Sequence, residues 1–185
     1  MDILAAFGLS ASAGLNAYIP LLIVSLLAKF TDLIVLSEPW KAMESWWVIG
    51  VLIFLSTIEF VTDKIPAVDH INNAIQTFIR PTAGAILFAA SAQVLTDINP
   101  ILSIIAGLLV AGTVHAVKSV VVRPAVTATT AGLGDAPVSF VEDGISTVLS
   151  VLSIALPAVV GVILILLAIL IIWWLVRRSS KARSR

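Results

Sequence analysis

The chain has no cysteine and little charge, and both absences narrow its class. Without cysteine there is no disulfide, no thiolate metal ligand and no cysteine nucleophile. Only 12% of the 185 residues are charged, whereas a soluble domain carries about 25%. Hydrophobic residues make up 59% of the chain, and the mean hydropathy is +1.10. This composition argues against a soluble domain, a disordered chain and a nucleic-acid binder, and it predicts an all-α integral membrane protein.

The few charges are unevenly distributed along the chain. Residues 1–176 hold six basic and eleven acidic side chains, and residues 177–185 add five basic ones. We therefore predict a single polytopic transmembrane domain over 1–176 and a basic cytoplasmic tail over 177–185. Such a tail also favours anionic lipid.

Uncharged runs supply the candidate membrane spans. They cover 3–28, 45–58, 81–96, 98–117 and 144–176. A bilayer core needs about 20 helical residues per span. Pro157 interrupts the last run, so we expect a kink or a hairpin there. A hairpin, with spans at roughly 137–156 and 158–176, gives six transmembrane helices, and one kinked helix gives five.

The distribution of lysine and arginine favours six spans over five. With both termini cytoplasmic, nine basic residues lie on the inner side and only Lys29 and Lys41 on the outer side. The five-span alternative gives seven against four. Because cytoplasmic loops of membrane proteins carry an excess of Lys and Arg, six spans with cytoplasmic N- and C-termini is the predicted arrangement.

Residues 63–80 are predicted to form an amphipathic helix on the cytoplasmic side. Its apolar side chains recur at helical spacing, at Val68, Ile71, Ile75 and Phe78. Its polar side chains lie three or four residues apart, at Asp69, Asn73, Gln76 and Arg80. Two interpretations stay open: the helix lies in the headgroup plane, or its polar face lines a water-filled cavity.

Short sequence echoes suggest an inverted repeat with broken or re-entrant segments. Ser/Thr-Ala-Gly occurs at 12–14, 82–84 and 130–132, Phe-Val-x-Asp at 60–63 and 140–143, and Arg-Pro at 80–81 and 123–124. Inverted repeats with segments broken by Gly or Pro surround the substrate site in many transporters. The stretch 124–136 is the candidate for a loop or a re-entrant segment.

Polar residues in or beside the spans are the candidates for a substrate or ion pathway. Glu59 is the foremost, because 14 uncharged residues precede it and a carboxylate in lipid is costly unless it is paired or hydrated. Arg80 or Arg123 is its natural partner. The full candidate set is Asn16, Glu59, Asp63, Asp69, His70, Asn73, Arg80, His115, Lys118, Arg123, Glu142 and Asp143.

Several candidates also have a purely structural explanation. Arg80, Lys118 and Arg123 can anchor helix ends at the membrane surface. His115 can be a packed, hydrogen-bonded histidine, and Asn16 can bond across a helix contact. In the six-span arrangement the acids and arginines beside the two Arg-Pro pairs share one membrane face.

No catalytic motif is recognisable, and no cofactor is predicted. Asp63, Asp69 and His70 could in principle bind a divalent ion. Their spacing matches no known ligand pattern, and a solvated polar face explains them better. We therefore predict no metal site, and activity as an enzyme stays a minor alternative.

Three segments carry a resemblance to a known family. SAGLNAYIPLL (12–22), IEFVTDKIPAVDHINNAIQTFIRPTAGAILFAASA (58–92) and RPAVTATTAGLGDAPVSFVED (123–143) resemble the small bacterial membrane proteins called domain of unknown function 4126. The resemblance implies an integral protein of the bacterial inner membrane, and it implies no activity and no site residues. The layout is also loosely similar to that of DedA-type proteins, which pair acids with arginines near broken segments and are linked to lipid translocation.

The leading hypothesis is a small secondary transporter or channel with a charge-paired, cytoplasm-facing cavity. Its partners would be the lipid bilayer, an unknown small solute, ion or lipid, and a second copy of the chain. A lipid scramblase or flippase, a metal-dependent membrane enzyme and a non-catalytic assembly subunit are the alternatives.

Overall fold

Helices make up most of the described chain. The computed structural model describes residues 3–63, 66–92 and 99–183, without the side chains of 66–71, 73, 171, 174–176 and 178–183. These residues contain no β-strand. The predicted all-helical class is therefore confirmed.

Seven α-helices follow one another within the described ranges. They are α1 (Ile3–Leu15), α2 (Tyr18–Phe30), α3 (Trp46–Thr62), α4 (Pro66–Ala92), α5 (Pro100–Thr130), α6 (Asp135–Ala155) and α7 (Pro157–Arg183). A short 3-10 helix, Trp40–Glu44, precedes α3. Within α5, Pro100–Val117 is α-helical, Lys118–Val122 is π-helical and Arg123–Thr130 is α-helical again.

The predicted first span, 3–28, is broken into two helices. Oδ1 of Asn16 accepts hydrogen bonds from the backbone N–H groups of Tyr18 (3.1 Å) and Ile19 (3.0 Å) and so caps the start of α2. With 13 residues each, α1 and α2 are about 20 Å long at 1.5 Å per residue, shorter than a bilayer core of about 30 Å. The prediction of a single continuous span over 3–28 was wrong, because the Asn16 side chain accepts the backbone hydrogen bonds at the start of a new helix.

The predicted amphipathic helix and the predicted third span form one continuous helix, α4. Its apolar side chains Ile75 and Phe78 are 52% and 78% exposed, whereas Gln76 and Arg80 are buried. The described part of the polar face, at Gln76 and Arg80, therefore points into the bundle. A water-filled cavity along this face stays a prediction.

The stretch expected to be a loop or a re-entrant segment, 124–136, is helical up to Thr130. The turn that follows depends on left-handed backbone at Ala131 (φ 52°) and Gly132 (φ 84°). Glycine adopts this conformation without strain. Where we predicted a loop or a re-entrant segment, the structure shows only a turn between Thr130 and Asp135.

The predicted break before Pro157 is confirmed, since Leu156 has non-helical backbone angles (φ −138°, ψ 60°). Beyond it, α7 packs on the bundle near its start, where Val160 is buried against Gly8. From 162 to 170 its side chains are mostly exposed.

The central helix of the bundle is α1, which packs against α4, α5 and α6. Oγ of Ser10 donates to the carbonyl of Gly84 in α4 (2.9 Å). Oγ of Ser12 lies 2.8 Å from Ser146 Oγ and 2.6 Å from Ser150 Oγ in α6. In addition, Phe7 contacts Phe88 and Asn16 bonds to Asp143. Together with the serine bonds, these contacts show that α1 runs antiparallel to α4 and to α6.

This packing corrects one part of the six-span arrangement. That arrangement put the beginning of the chain and the charged residues on the same membrane face. Because α1 runs antiparallel to α4, Ile3 lies at the end of the bundle where α4 ends at Ala92, and Arg80 lies toward the other end. The beginning of α1 and the charged residues are therefore at opposite ends of the bundle.

Two helices, Pro100–Thr130 and Asp135–Ala155, are long and apolar enough to cross a bilayer. Shorter apolar helices accompany them at Ile3–Leu15, Tyr18–Phe30, Trp46–Thr62 and Pro157–Leu170. Two such helices are a weak indication of a membrane protein. The number of spans and the cytoplasmic position of the termini stay predictions.

A buried network of ion pairs as the candidate functional site

Six charged side chains from four helices form a chain in which acids and bases alternate. In order they are Glu59, Arg80, Asp63, Arg123, Glu142 and Lys118. None of these side chains is more than 8% exposed. Three carboxylates and three cations thus compensate one another inside the bundle.

One half of the network joins the end of α3 to α4. Nη2 of Arg80 donates to Oε1 of Glu59 at 2.9 Å and lies 3.6 Å from Oδ2 of Asp63. Arg80 and Glu59 are both fully buried. We expected Glu59 to pair with the arginine of one of the two Arg-Pro sequences, and its pair with Arg80 confirms this prediction.

The other half of the network joins α5 to α6. Oε2 of Glu142 accepts from Nη2 of Arg123 at 2.6 Å and lies 3.0 Å from Nζ of Lys118. The same Arg123 nitrogen donates to Oγ of Ser139 at 2.8 Å. One carboxylate therefore meets two cations of a single helix.

The π-helical segment explains how both cations reach one carboxylate. The N–H of Arg123 bonds to the carbonyl of Lys118, so the two residues lie one π turn apart and on the same face. In a regular α-helix, five residues would separate their directions by about 140°. The single widened turn thus directs Lys118 and Arg123 together toward α6.

Asp63 connects the two halves. Its Oδ2 lies 3.6 Å from Nη2 of Arg80 and 3.9 Å from Nη2 of Arg123. Its Oδ1 accepts a hydrogen bond from the Asn72 side chain, and its backbone carbonyl accepts from Oγ of Ser139 at 3.0 Å. The carboxylate is therefore placed between two arginines, farther from each than a direct hydrogen bond.

The break between α1 and α2 adjoins this network. Nζ of Lys118 donates to the carbonyl of Leu15 at 2.9 Å, at the C-terminal end of α1. Nδ2 of Asn16 donates to Oδ1 of Asp143 at 3.0 Å. The cation of Lys118 satisfies a carbonyl at the negative end of the α1 helix dipole, while Asn16 ties the break to α6.

His115 lies against the network on the α4 side. Its Nδ1 is 3.3 Å from Nη1 of Arg80, and its Nε2 is 3.1 Å from Oγ1 of Thr77. Since a guanidinium group only donates hydrogen bonds, Nδ1 accepts and Nε2 carries the proton toward Thr77. His115 is thus both packed and hydrogen-bonded.

Nine of the twelve candidates lie in this region: Asn16, Glu59, Asp63, Arg80, His115, Lys118, Arg123, Glu142 and Asp143. The side chains of Asp69, His70 and Asn73 lie outside the described residues. Among the described side chains, no group of three His, Cys, Asp or Glu residues could hold a metal ion. Whether any candidate acts in a pathway stays a prediction.

Three residues that bond to the network or to His115 were not among the candidates from the sequence. Ser139 bonds both to Arg123 and to Asp63, Asn72 bonds to Asp63, and Thr77 bonds to His115. Ser139 could have been found, because it lies three residues before Glu142 and so shares its helix face.

A cleft of about 260 Å³ opens between the start of α2 and the end of α3. It is lined by Asn16, Ile19, Ser56, Thr57 and Phe60. Three of these five side chains are polar. Ser56, Thr57 and Phe60 flank Glu59 in the sequence, but Glu59 itself is fully buried and does not line the cleft.

The comparisons with known proteins agree with the resemblance seen in the sequence. No curated protein and no solved structure matches the chain. Residues 3–177, nearly all of the 185, match the family described as Domain of unknown function (DUF4126). The chain therefore belongs to the DUF4126 family.

Proposed function

We propose that this chain is a multi-pass membrane protein and a small secondary transporter or channel whose pathway passes through the buried ion-pair network. The arrangement of polarity supports a membrane location. Large apolar side chains are exposed along most helices, whereas charged residues and many serines are buried. A water-soluble bundle has the opposite arrangement.

The alternating chain of six buried charges is the observation that carries the proposal. Buried ion pairs rarely add to stability, because the cost of desolvation matches or exceeds the Coulomb attraction. Ionisable residues within membrane segments usually mark ion or substrate pathways. A network of three carboxylates and three cations is therefore better explained by passage of a polar species than by folding.

The position of Asp63 suggests how a polar species would move through the network. Asp63 lies between Arg80 and Arg123 without a short hydrogen bond to either arginine. A cation or an anion that enters the network replaces one partner of such a pair, and the released charge turns to its other neighbour. Each step then keeps every buried charge compensated.

Lipid scrambling is the second candidate, and the cleft between α2 and α3 favours it. Thr57 and Phe60 at its edge are exposed, so the cleft opens on the outside of the bundle, where lipid would lie. A headgroup in the cleft would reach Asn16 while its chains stay in the bilayer. We also propose the bacterial inner membrane as the location, as the sequence resemblance implies, and a dimer as the assembly, because 185 residues make a narrow bundle.

Flux in proteoliposomes tests the proposal. We expect the wild-type chain to conduct protons or small ions, and we expect Glu59→Gln and Arg123→Gln to abolish the flux while the protein stays folded. Lys41→Gln is the control, because Lys41 is exposed and far along the chain from the network, and it should conduct normally. Full flux in Glu59→Gln would remove Glu59 from the mechanism.

Labelled lipid in the same vesicles separates the two candidates. If the protein is a scramblase, label in the inner leaflet becomes accessible to an external quencher. Scrambling without ion flux would replace the transporter proposal by the second candidate.

A further inference from the structure

One residue that lines the cleft between α2 and α3, Ser56, has a buried hydroxyl that lacks a protein partner. Within the described residues, Oγ of Ser56, Oε2 of Glu59 and Oε1 of Gln76 are buried and accept no hydrogen bond. Ser56 lines the cleft and lies three residues before Glu59, on the same side of α3. Gln76 lies one turn before Arg80 in α4, and Tyr18 is beside both Gln76 and Glu59.

The Glu59 end of the network has fewer cations than the other end. Glu59 is the terminal member of the alternating chain, and it shares its one cation, Arg80, with Asp63, which also lies 3.9 Å from Arg123. Glu142, by contrast, meets two cations at the other end. A ligand at the Glu59 end would therefore be a cation or a strong hydrogen-bond donor.

We propose that the cleft binds a small primary ammonium ion, with its N–H groups directed to Glu59 and Ser56 and its alkyl part against Ile19 and Phe60. The inference rests on the proposed function, and it names the class of substrate for the same network. An alkylammonium ion matches both parts of the cleft, since Ile19 and Phe60 are apolar and the other three lining side chains are polar.

The number of acceptors favours an ammonium group over a metal ion. Ca²⁺ takes about six to eight oxygen ligands, and Mg²⁺ requires near-ideal octahedral geometry. The three unpartnered oxygens are too few for either ion without many waters. A primary ammonium has three N–H donors, enough to bond to the unpartnered oxygens of Ser56 and Glu59.

Calorimetric binding of methylammonium to the full chain in lipid nanodiscs tests the inference. We expect the wild-type protein to bind methylammonium and not tetramethylammonium, which has the same charge and no N–H group. We expect Ser56→Ala to weaken binding about tenfold, the usual effect of losing one hydrogen bond to a charged group. We expect Glu59→Gln to abolish binding.

Ser103→Ala is the matched control. Like Ser56, Ser103 has a buried hydroxyl oxygen with no partner among the described residues, and it lies near the start of α5. Its replacement should leave the affinity for methylammonium unchanged. An equal loss in Ser103→Ala and Ser56→Ala would show that the loss comes from destabilised packing, and it would overturn the assignment of Ser56.

Binding of tetramethylammonium with equal affinity would overturn the role of N–H donors, and so would full binding by Ser56→Ala. The flux experiment distinguishes this inference from the proposed function. Ion flux that needs Glu59, in a protein that does not bind methylammonium, overturns the ammonium site and leaves the transporter. Methylammonium binding without any flux keeps the site and overturns the transporter.

Discussion

Two buried regions of the helical bundle are held together by different forces: the contact of α4 with α5 at Gly84 and Gly107, here called the glycine end, and the ion-pair network, here called the charged end. At one end α4 and α5 approach through glycine: a Cβ added to Gly107 would lie 2.7 Å from Cα of Ala85, and one added to Gly84 would lie 2.9 Å from the carbonyl oxygen of Gly107. At the other end Glu59, Arg80 and the rest of the network meet through charges.

This difference indicates which region fixes the positions of the helices and which region can rearrange. Backbones in van der Waals contact leave no space for water and have one arrangement, because packed interiors are as dense as organic crystals. A charge such as Asp63 has two cations within 4 Å and can exchange between them. The glycine end therefore fixes the helices, and the charged end supplies the part that can change.

The largest expected effect comes from leaving charges of the network without a partner. In Arg80→Met, the carboxylates of Glu59 and Asp63 lose the guanidinium they share, and we expect the free energy of unfolding to fall by about 3–5 kcal/mol. Chemical denaturation in detergent measures the change. Lys41→Met, an exposed position, should change it by less than about 0.5 kcal/mol. A similarly small effect of Arg80→Met would show that the network is already solvated or unpaired.

Insertion of one alanine after Val120 tests the role of the π-helical segment. The extra residue rotates Arg123 by about 100° relative to Lys118. We expect the loss of the bond to Glu142 to cost about 1.5–3 kcal/mol and to abolish flux. Deletion of Val120, which is 72% exposed, serves as the control and should keep both, because it leaves Lys118 and Arg123 four residues apart on one face of a regular α-helix. Normal flux after the insertion would contradict the argument from helix geometry.

Adding a methyl group at the glycine end tests how closely α4 and α5 approach there. Gly107→Ala places its Cβ against backbone atoms that cannot move aside, and we expect a loss of about 1–3 kcal/mol. Gly50→Ala in α3 has no atom within 4 Å of the added Cβ and should be neutral or stabilising by up to about 1 kcal/mol. Thermal unfolding of both variants checks this. Equal effects would contradict the close approach of α4 and α5.

The smallest expected effect concerns the serine contacts of α1. Oγ of Ser12 lies 2.6 Å from Oγ of Ser150, and such bonds between membrane helices contribute about 0.6 kcal/mol on average. A double-mutant cycle of Ser12→Ala and Ser150→Ala should give a coupling energy of that size. A value well above 1.7 kcal/mol, about the largest value measured for such bonds, would assign these serines a larger part in holding the bundle.

The sequence predicts the polar network better than it predicts the helices. A carboxylate after 14 uncharged residues must find a cation, and this requirement led to the pairing of Glu59 with an Arg-Pro arginine. The break at Asn16 has a local signal that went unused: an N-cap residue, with Pro20 in the first turn of α2. Hydrophobicity alone could not reveal the break, because both short helices are apolar.

Other features depend on contacts that no local pattern encodes. The π turn at Lys118–Val122 follows from the need of two cations to reach Glu142, and nothing in the valine run marks it. The bond of Lys118 to Leu15 joins residues 103 positions apart. The direction of α1 relative to α4 and α6 was predicted wrongly, because it depends on the packing of small residues that look alike in sequence.

The most direct test of the account compares two buried serines, one at each end. Ser139 bonds to the carbonyl of Asp63 (3.0 Å) in the network, and Ser10 bonds to the carbonyl of Gly84 (2.9 Å) at the glycine end; both are fully buried. Because the chain has no cysteine, Ser139→Cys and Ser10→Cys each introduce a unique thiol, whose reaction with a charged methanethiosulfonate reports access from water. We predict that the thiol at 139 reacts at least about tenfold faster than the thiol at 10, because a polar pathway through the network would admit water and the reagent to position 139. Equal protection of both thiols in folded protein would contradict a polar pathway through the network.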